Sequence, residues 1–355
     1  MIAPFAGVVL CAISHADVPP APPAAADPRP SPEERAAPIP PPESNTGVLP
    51  APPTRLEDVW TGLGPATVLE DAVARRSSGD FRGADARLAW LAEVAPGEAP
   101  TYHAAVSAEL QERYEEALAG YDAVLSQWPD GARATDAGFR RALVLEDLGR
   151  HPDAVRQVRA LQRQETWSRE DQLSLELARG VGEVGQGRTR RGLRRLGRAL
   201  AATEGSETLL WMRAKARATL ARHLVEEAAA TPMVHGRRAS RNLEHRAGKI
   251  SAAERQVIAI ANLGEPEYAL AGLEMLGDAY LALYDDIIAL PPPPGLSPDA
   301  ASVYRDGIAE RTAVLRRKAW RYYDEGAKLA TRTEWQGDIT ARLRSRRAAL
   351  GESNE

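Results

Sequence analysis

The sequence holds a single cysteine, Cys11, so neither an intrachain disulfide nor a cysteine-based zinc site is available to it. Aromatic residues make up only 5% of its 355 residues, against 44% hydrophobic residues in all. A core so short of rings has to be built from Ala, Leu and Val, which favours close helix–helix packing over an aromatic-rich sheet. Lysine is scarce as well, with four among 45 basic residues: Lys215, Lys249, Lys318 and Lys328. The skew to arginine, together with heavy alanine usage, reads as the coding bias of a GC-rich genome rather than as a binding surface. The net charge of −4 calls for neither nucleic acid nor an anionic membrane at the level of the whole chain. No apolar run is long enough to span a bilayer.

The most apolar run, Ile2–Ile13 (IAPFAGVVLCAI), is followed by Ser14 and Ala16, spaced as the small residues before a cleavage site. Residues 1–16 therefore read as a secretory signal peptide, although no Lys or Arg precedes the run. Leu10 before Cys11 is a poor lipoprotein signal. Cleavage after Ala16 would leave a chain without cysteine, which suits an oxidising compartment. Residues 19–53 hold 14 of the 27 prolines. Such a stretch forms an extended polyproline spacer and has no means of building a core, so residues 17–55 are expected to be a disordered linker.

From Pro65 onward a helical period appears with a longer repeat superimposed on it. Gly79–Pro96 (GDFRGADARLAWLAEVAP) aligns with Glu112–Pro129 (ERYEEALAGYDAVLSQWP), placing Ala84 on Ala117, Leu88 on Tyr121, Leu91 on Val124 and Pro96 on Pro129. A third copy carries Gly149, Ala154, Val158 and Leu161, and a fourth carries Gly187, Gly192, Leu196 and Ala199. Steps between the key small residues are 33, 37 and 38. Twelve positions upstream of each lies another small residue: Ala72, Ala105, Ala142 and Gly180. This is the logic of paired helices. The small residue lets the first helix approach, a large residue four later and an apolar one three beyond complete a buried stripe, and proline or a polar turn ends the unit.

The spacing resembles the tetratricopeptide repeat (TPR) family, in which a small residue opens the second helix, an aromatic follows four later and proline closes the repeat. YEEALAGYDAVLSQWPD is the best match, and the fourth copy departs from the pattern with Gly192 in place of Ala. In the C-terminal part, Leu276, Gly277 and Tyr280 fit a first TPR helix and Ala319 and Tyr323 a second. The order of segments across about Ser251–Thr331 looks like envelope-associated TPR proteins of myxobacteria, including components of the gliding-motility machinery. The resemblance implies an all-α, TPR-like α-solenoid of stacked helical hairpins. It also implies a non-catalytic scaffold in the periplasm or cell envelope, with protein partners in a multi-component assembly. The expected organisation is signal peptide 1–16, linker 17–55, repeats 56–204 and a C-terminal helical module 205–350 with a proline loop at 291–298.

In the repeat register, the groove-facing candidates are Leu69, Val73 and Arg76, then Tyr102, Val106 and Glu109, then Phe139, Leu143 and Glu146. They form an apolar strip edged with mixed charge, suited to an extended or helical partner segment. Tyr102 and Phe139 read equally well as packing residues. The Lys/Asn set by which chaperone-type TPR domains clamp a C-terminal carboxylate is absent from these positions. Arg188, Arg190, Arg191, Arg194, Arg195 and Arg198 surround an inward stripe of Leu193, Leu196 and Leu200, which makes them a solvated face. An acidic protein, an anionic lipid or nucleic acid is the other possible reader of that face, and a cytoplasmic regulatory TPR protein using it is the alternative function.

No chemistry is apparent. GEVGQGRT (Gly182–Thr189) has the glycine spacing of a phosphate loop, but Arg188 stands where lysine is needed and LSLELARGV before it reads as helix rather than strand; in the repeat register it is a turn. His15, His103, His151, His223, His235 and His245 show no metal spacing, and His223 with Glu226 and Glu227 reads as pairing on a helix surface. Adjacent pairs such as Glu115–Glu116 and Asp285–Asp286 point apart on a helix and cannot act as an acid/base couple. Neither a nucleophile motif nor a cofactor motif is found. One feature is odd for a repeat: Pro291–Pro294 between two helical segments. With Ser297 as N-cap and Pro298 at the first helical position, the helix carrying Ala319 and Tyr323 is expected to run about thirty residues and overshoot its partner. The prolines then bridge the two ends and Gly295 permits the reversal.

Overall fold

A computed structural model describes residues 56–78, 80–164, 167–206, 208–233, 238–335 and 338–351. The expected signal peptide and proline-rich linker, with His15 and Cys11, lie outside the described residues, as does His235. Among the described residues there are fourteen helices and no strand. The chain divides into two compact units, one ending at Leu148 and the other beginning at Gly149.

The first unit holds α1 (Leu56–Leu63), α2 (Pro65–Ser77), α3 (Phe81–Val94), α4 (Glu98–Leu110), α5 (Tyr114–Gln127) and α6 (Ala134–Asp147). α2 pairs with α3 and α4 with α5, and α6 packs on α5. Local chemistry sets the ends. Gly64 takes φ +83° so that Pro65 can open α2. Asp80 caps α3 by accepting the Gly83 N–H at 2.8 Å. Pro96 and Pro129 stand just past the last turns of α3 and α5, where a helix cannot continue. The key small residues lie at the contacts: Ala72, Ala84, Ala105 and Ala117 are all buried. A methyl group added at Gly120 would sit 2.7 Å from the Cβ of Ala105, so α4 and α5 touch almost backbone to backbone.

The second unit holds α7 (His151–Leu161), α8 (Arg169–Gly185), α9 (Thr189–Ala202), α10 (Leu210–Ala230), α11 (Ala239–Ala261), α12 (Pro266–Ile288), α13 (Pro298–Arg332) and α14 (Asp338–Leu350). α8 pairs with α9, α10 with α11 and α12 with α13, while α14 covers α13. In the fourth repeat copy both key residues are glycine, and the reason is steric. A Cβ at Gly192 would lie 2.8 Å from the Gly180 carbonyl oxygen, and one at Gly180 would lie 2.5 Å from Leu196.

The terminal hairpin is elongated, as the proline stretch predicts. α13 has 35 residues against 23 in α12, a difference of about 18 Å at 1.5 Å per residue. Ser297 caps α13 through the Ala300 N–H at 3.3 Å, Pro298 is its first residue, and Gly295 takes φ +89°. Gly277 on α12 faces the ring of Tyr323 on α13, while Ile287 and Leu290 line a small cavity with Tyr304 and Ile308. That register leaves the first turns of α13 beyond the end of α12, alongside the proline bridge. Tyr322 and Tyr323 are buried. Tyr322 stacks on Tyr280 (5.7 Å, 9°) and donates its hydroxyl to Glu254 of α11, and Tyr323 donates to Asp278 of α12 at 2.6 Å. Trp320 is partly buried.

Candidate functional site

The first helices of the repeats in residues 56–148 are α2, α4 and α6. Arg76, near the end of α2, donates Nη1–H to the carbonyl oxygen of His103 on α4 at 3.1 Å, and the same nitrogen lies 3.3 Å from His103 Nδ1. A guanidinium has no acceptor, so Nδ1 must accept, and the imidazole is held neutral with its proton on Nε2. Burial and then the positive charges of Arg76, Arg133 and Arg140 push the His103 pKa down to about 4. The Tyr102 ring stands edge-on to His103 at 5.1 Å, and the guanidinium of Arg133 lies 5.9 Å from the centre of the Tyr102 ring.

Asp136 and Glu109, the carboxylates bonded to this cluster, are both engaged. Arg140 donates to Asp136 at 3.0 Å and to Glu109 at 3.2 Å, and its Nε also reaches the Tyr102 hydroxyl at 3.1 Å. The Tyr102 hydroxyl donates to Asp136, and the Tyr121 hydroxyl donates to Glu109. Burial, then the bond to Asp136, pushes the Tyr102 phenol up to about 12. Burial alone would lower the Arg140 pKa, but Glu109 and the two phenols hold it above the usual guanidinium value. Arg76 and Arg133 are different. Neither has a carboxylate within ion-pair distance among the described residues, and burial lowers the pKa of Arg76.

The groove candidates therefore divide. Tyr102, Val106 and Leu143 are buried and serve packing, because a first helix is flanked both by its own partner helix and by the next repeat. Glu109 is spent inside the network around Arg140. Leu69 packs on the cluster around Trp60 and is half-buried, as are Val73, Arg76, Phe139 and Glu146. Less apolar strip is presented than the register suggests, and more cation: Arg76, Arg133 and Arg140 around His103. No single segment signals this cluster, because Arg76, His103 and the pair Arg133 and Arg140 lie 27 to 64 positions apart and only the stacking of α2, α4 and α6 brings them together.

The arginine run on α9 also divides. Arg188, Arg191, Arg194 and Arg198 are exposed. Arg195 is not part of a solvated face: its side chain is only 13% exposed and is bound to Glu183 at 3.1 Å and to Glu176. Glu183, inside GEVGQGRT, is fully buried on α8 and also receives Arg179 at 3.2 Å, Arg191 at 3.3 Å and Arg159 at 3.7 Å. Burial on its own would raise the Glu183 pKa, but Arg195 and the other arginines outweigh it and hold the carboxyl below its ordinary value. The sequence offered one faint cue: Glu176 and Glu183 are seven apart and so share a face of α8. The segment before GEVGQGRT is helix α8 rather than strand; Gly182 and Gly185 still belong to that helix, and Gly187, at φ +78°, closes the turn into α9.

His223 lies 3.6 Å from Glu227, which also binds Lys249 at 2.5 Å. Among the described residues no group of three His, Cys, Asp or Glu side chains is placed to hold a metal ion, and no helix is long and apolar enough to cross a membrane.

No protein-family model and no curated protein matches the chain. Among solved structures it is similar to a TPR-repeat protein from Bacteroides fragilis, at 11% identity over 79% of this chain and 98% of that one, with a TM-score of 0.30. It is also similar to the C-terminal part of a TPR repeat-containing protein from Cytophaga hutchinsonii (12% identity, 81% and 96% of the two chains, TM-score 0.37). Tom70 from yeast is a further match, at 10% identity over 82% of this chain and 77% of that one, with a TM-score of 0.28.

Proposed function

We propose that this protein is a non-catalytic scaffold that holds an acidic segment of a partner protein against the first-helix face of residues 56–148. One observation carries the reading. Arg76 is bonded to a neutral His103, Arg133 lies over the ring of Tyr102, and neither guanidinium has a carboxylate of its own among the described residues. Charged groups left unpaired beside apolar surface favour a partner that brings the missing carboxylates. An extended or helical segment carrying Asp or Glu next to an apolar side chain fits that chemistry. Selection of a displayed peptide library on the full chain tests it. Enrichment of acidic segments whose binding is lost in Arg76→Gln/Arg133→Gln, with helicity unchanged, is expected. Enriched peptides of no particular charge, or binding indifferent to both changes, would refute it.

The same reading places the protein outside the cytoplasm, within an envelope assembly. The apolar run at Ile2–Ile13 with Ser14 and Ala16 supports export, and the likeness of the C-terminal segments to envelope TPR proteins supports the assembly, motility machinery included. Mass spectrometry of the native protein should find a mature end near Asp17. Intact Met1 in a cytosolic fraction would contradict export and favour the regulatory role of the exposed α9 arginines.

A further inference from the structure

The helices α10, α11 and α12 enclose, between them, a half-open cavity of about 380 Å³. Its apolar wall is formed by five alanines of α10 and α12 together with Val225, Ile250 and Met275. Such a cavity is not a packing defect of one missing methyl group. At roughly 30 Å³ for each water-sized group it has room for about a dozen.

One cation lines this cavity. Arg246 of α11 is 4% exposed, a rare position for a guanidinium. Its Nη2 pairs with Asp286 at 2.7 Å, but Asp286 is half in water, and the buried Nε of Arg246 has no hydrogen-bond partner. The two carboxylates on the cavity wall, Glu274 and Asp278, do not compensate it. Glu274 is held by Arg342 at 2.8 and 2.9 Å, and Asp278 accepts the Tyr323 hydroxyl and pairs with Arg346. A buried charge with so little compensation is costly in an empty cavity and useful in an occupied one.

We propose that this cavity is a binding site for a small amphiphilic carboxylate, whose aliphatic chain lies among the alanines and whose single negative charge meets Arg246. A cationic or neutral head would leave the guanidinium as it is. A dianion would bring one charge more than Arg246, the cation on the wall, can meet. The site is separate from the first-helix face of residues 56–148 and stands or falls without it.

Titration calorimetry of the full chain with decanoate, far below its micelle-forming concentration, tests the proposal. A single-site isotherm with a Kd of about 100 μM is expected for a ligand of this size. Decan-1-ol and decyltrimethylammonium should bind at least tenfold more weakly. Arg246→Gln should weaken decanoate tenfold or more. If that variant unfolds, Ala271→Phe, an exposed change at the mouth, should abolish binding with helicity intact. Asp286→Asn, which frees Arg246 from its own carboxylate, should tighten decanoate by about threefold to tenfold. Equal affinity for the three head groups, binding unaffected by Ala271→Phe, no gain with Asp286→Asn, or no decanoate binding would each overturn the proposal.

Discussion

Replacing Gly277 by Ala puts a methyl group where the terminal hairpin has no space. The new Cβ would lie 2.3 Å from Cε1 and 2.7 Å from Cδ1 of Tyr323, against the side of a ring that is 1% exposed. The ring cannot swing away. Asp278 accepts its hydroxyl at 2.6 Å, and the guanidinium of Arg346 lies 6.0 Å from its centre. Overpacking of this kind costs about 1–3 kcal/mol. Alanine in a helix interior returns about 1 kcal/mol relative to glycine. With the contact this short the first term should dominate, for a net loss of about 1–2 kcal/mol, or several degrees in Tm for a unit of this size. Gly307 on α13 provides the control, because a Cβ there meets nothing within 4 Å. Gly307→Ala should stabilise by about 0.5–1 kcal/mol through helix propensity alone. Urea unfolding followed by far-ultraviolet circular dichroism measures both, and the two midpoints should move in opposite directions. If Gly277→Ala moves with Gly307→Ala, α12 and α13 are not paired in the register described.

Glu183→Gln leaves four arginines around a buried amide; breaking a buried charge cluster costs up to about 5 kcal/mol, and since Arg191 is half exposed and can turn to water, a loss near the low end, about 3 kcal/mol, is expected in urea unfolding. Tyr322→Phe removes one of the hydroxyls that reach Glu254, which is 1% exposed, and should cost about 1–3 kcal/mol with the hairpin intact by circular dichroism. The folded protein holds His103 at about 4, below its ordinary 6.5, so in between the unfolded chain binds the extra proton. Stability should therefore fall as pH drops from about 6.5 toward 4, and His103→Gln should flatten that part of the profile; an unchanged slope would show that His103 is not shielded as described.

Much of the helical architecture was legible because helix pairing leaves a local trace. Ala84 and Ala117, and the glycines 180 and 192, sit where they do for want of space, and spacing alone reveals such residues. Ser297 and Pro298 likewise announced the start of α13, since caps are written in adjacent residues. The charged networks were not legible. Arg195 looks like any surface arginine until α8 and α9 close on Glu183, and a buried glutamate has no pattern distinct from an exposed one. The cluster of Arg76, His103, Arg133 and Arg140 depends on three helices stacking, so no single segment carries its signature. The same stacking buries Tyr102, Val106 and Leu143, which the repeat register alone assigns to the groove as readily as Phe139.

The claim that the first-helix face of residues 56–148 takes up a partner is tested most directly by site-specific photocrosslinking in the native cell. Benzoylphenylalanine at Phe139, half-buried beside Arg140 on α6, should give a discrete crosslinked species that disappears in Arg76→Gln/Arg133→Gln. The same probe at Ala119, exposed on α5, should give none. Crosslinking from Ala119 but not from Phe139, or a product from Phe139 that survives loss of both arginines, would contradict the account.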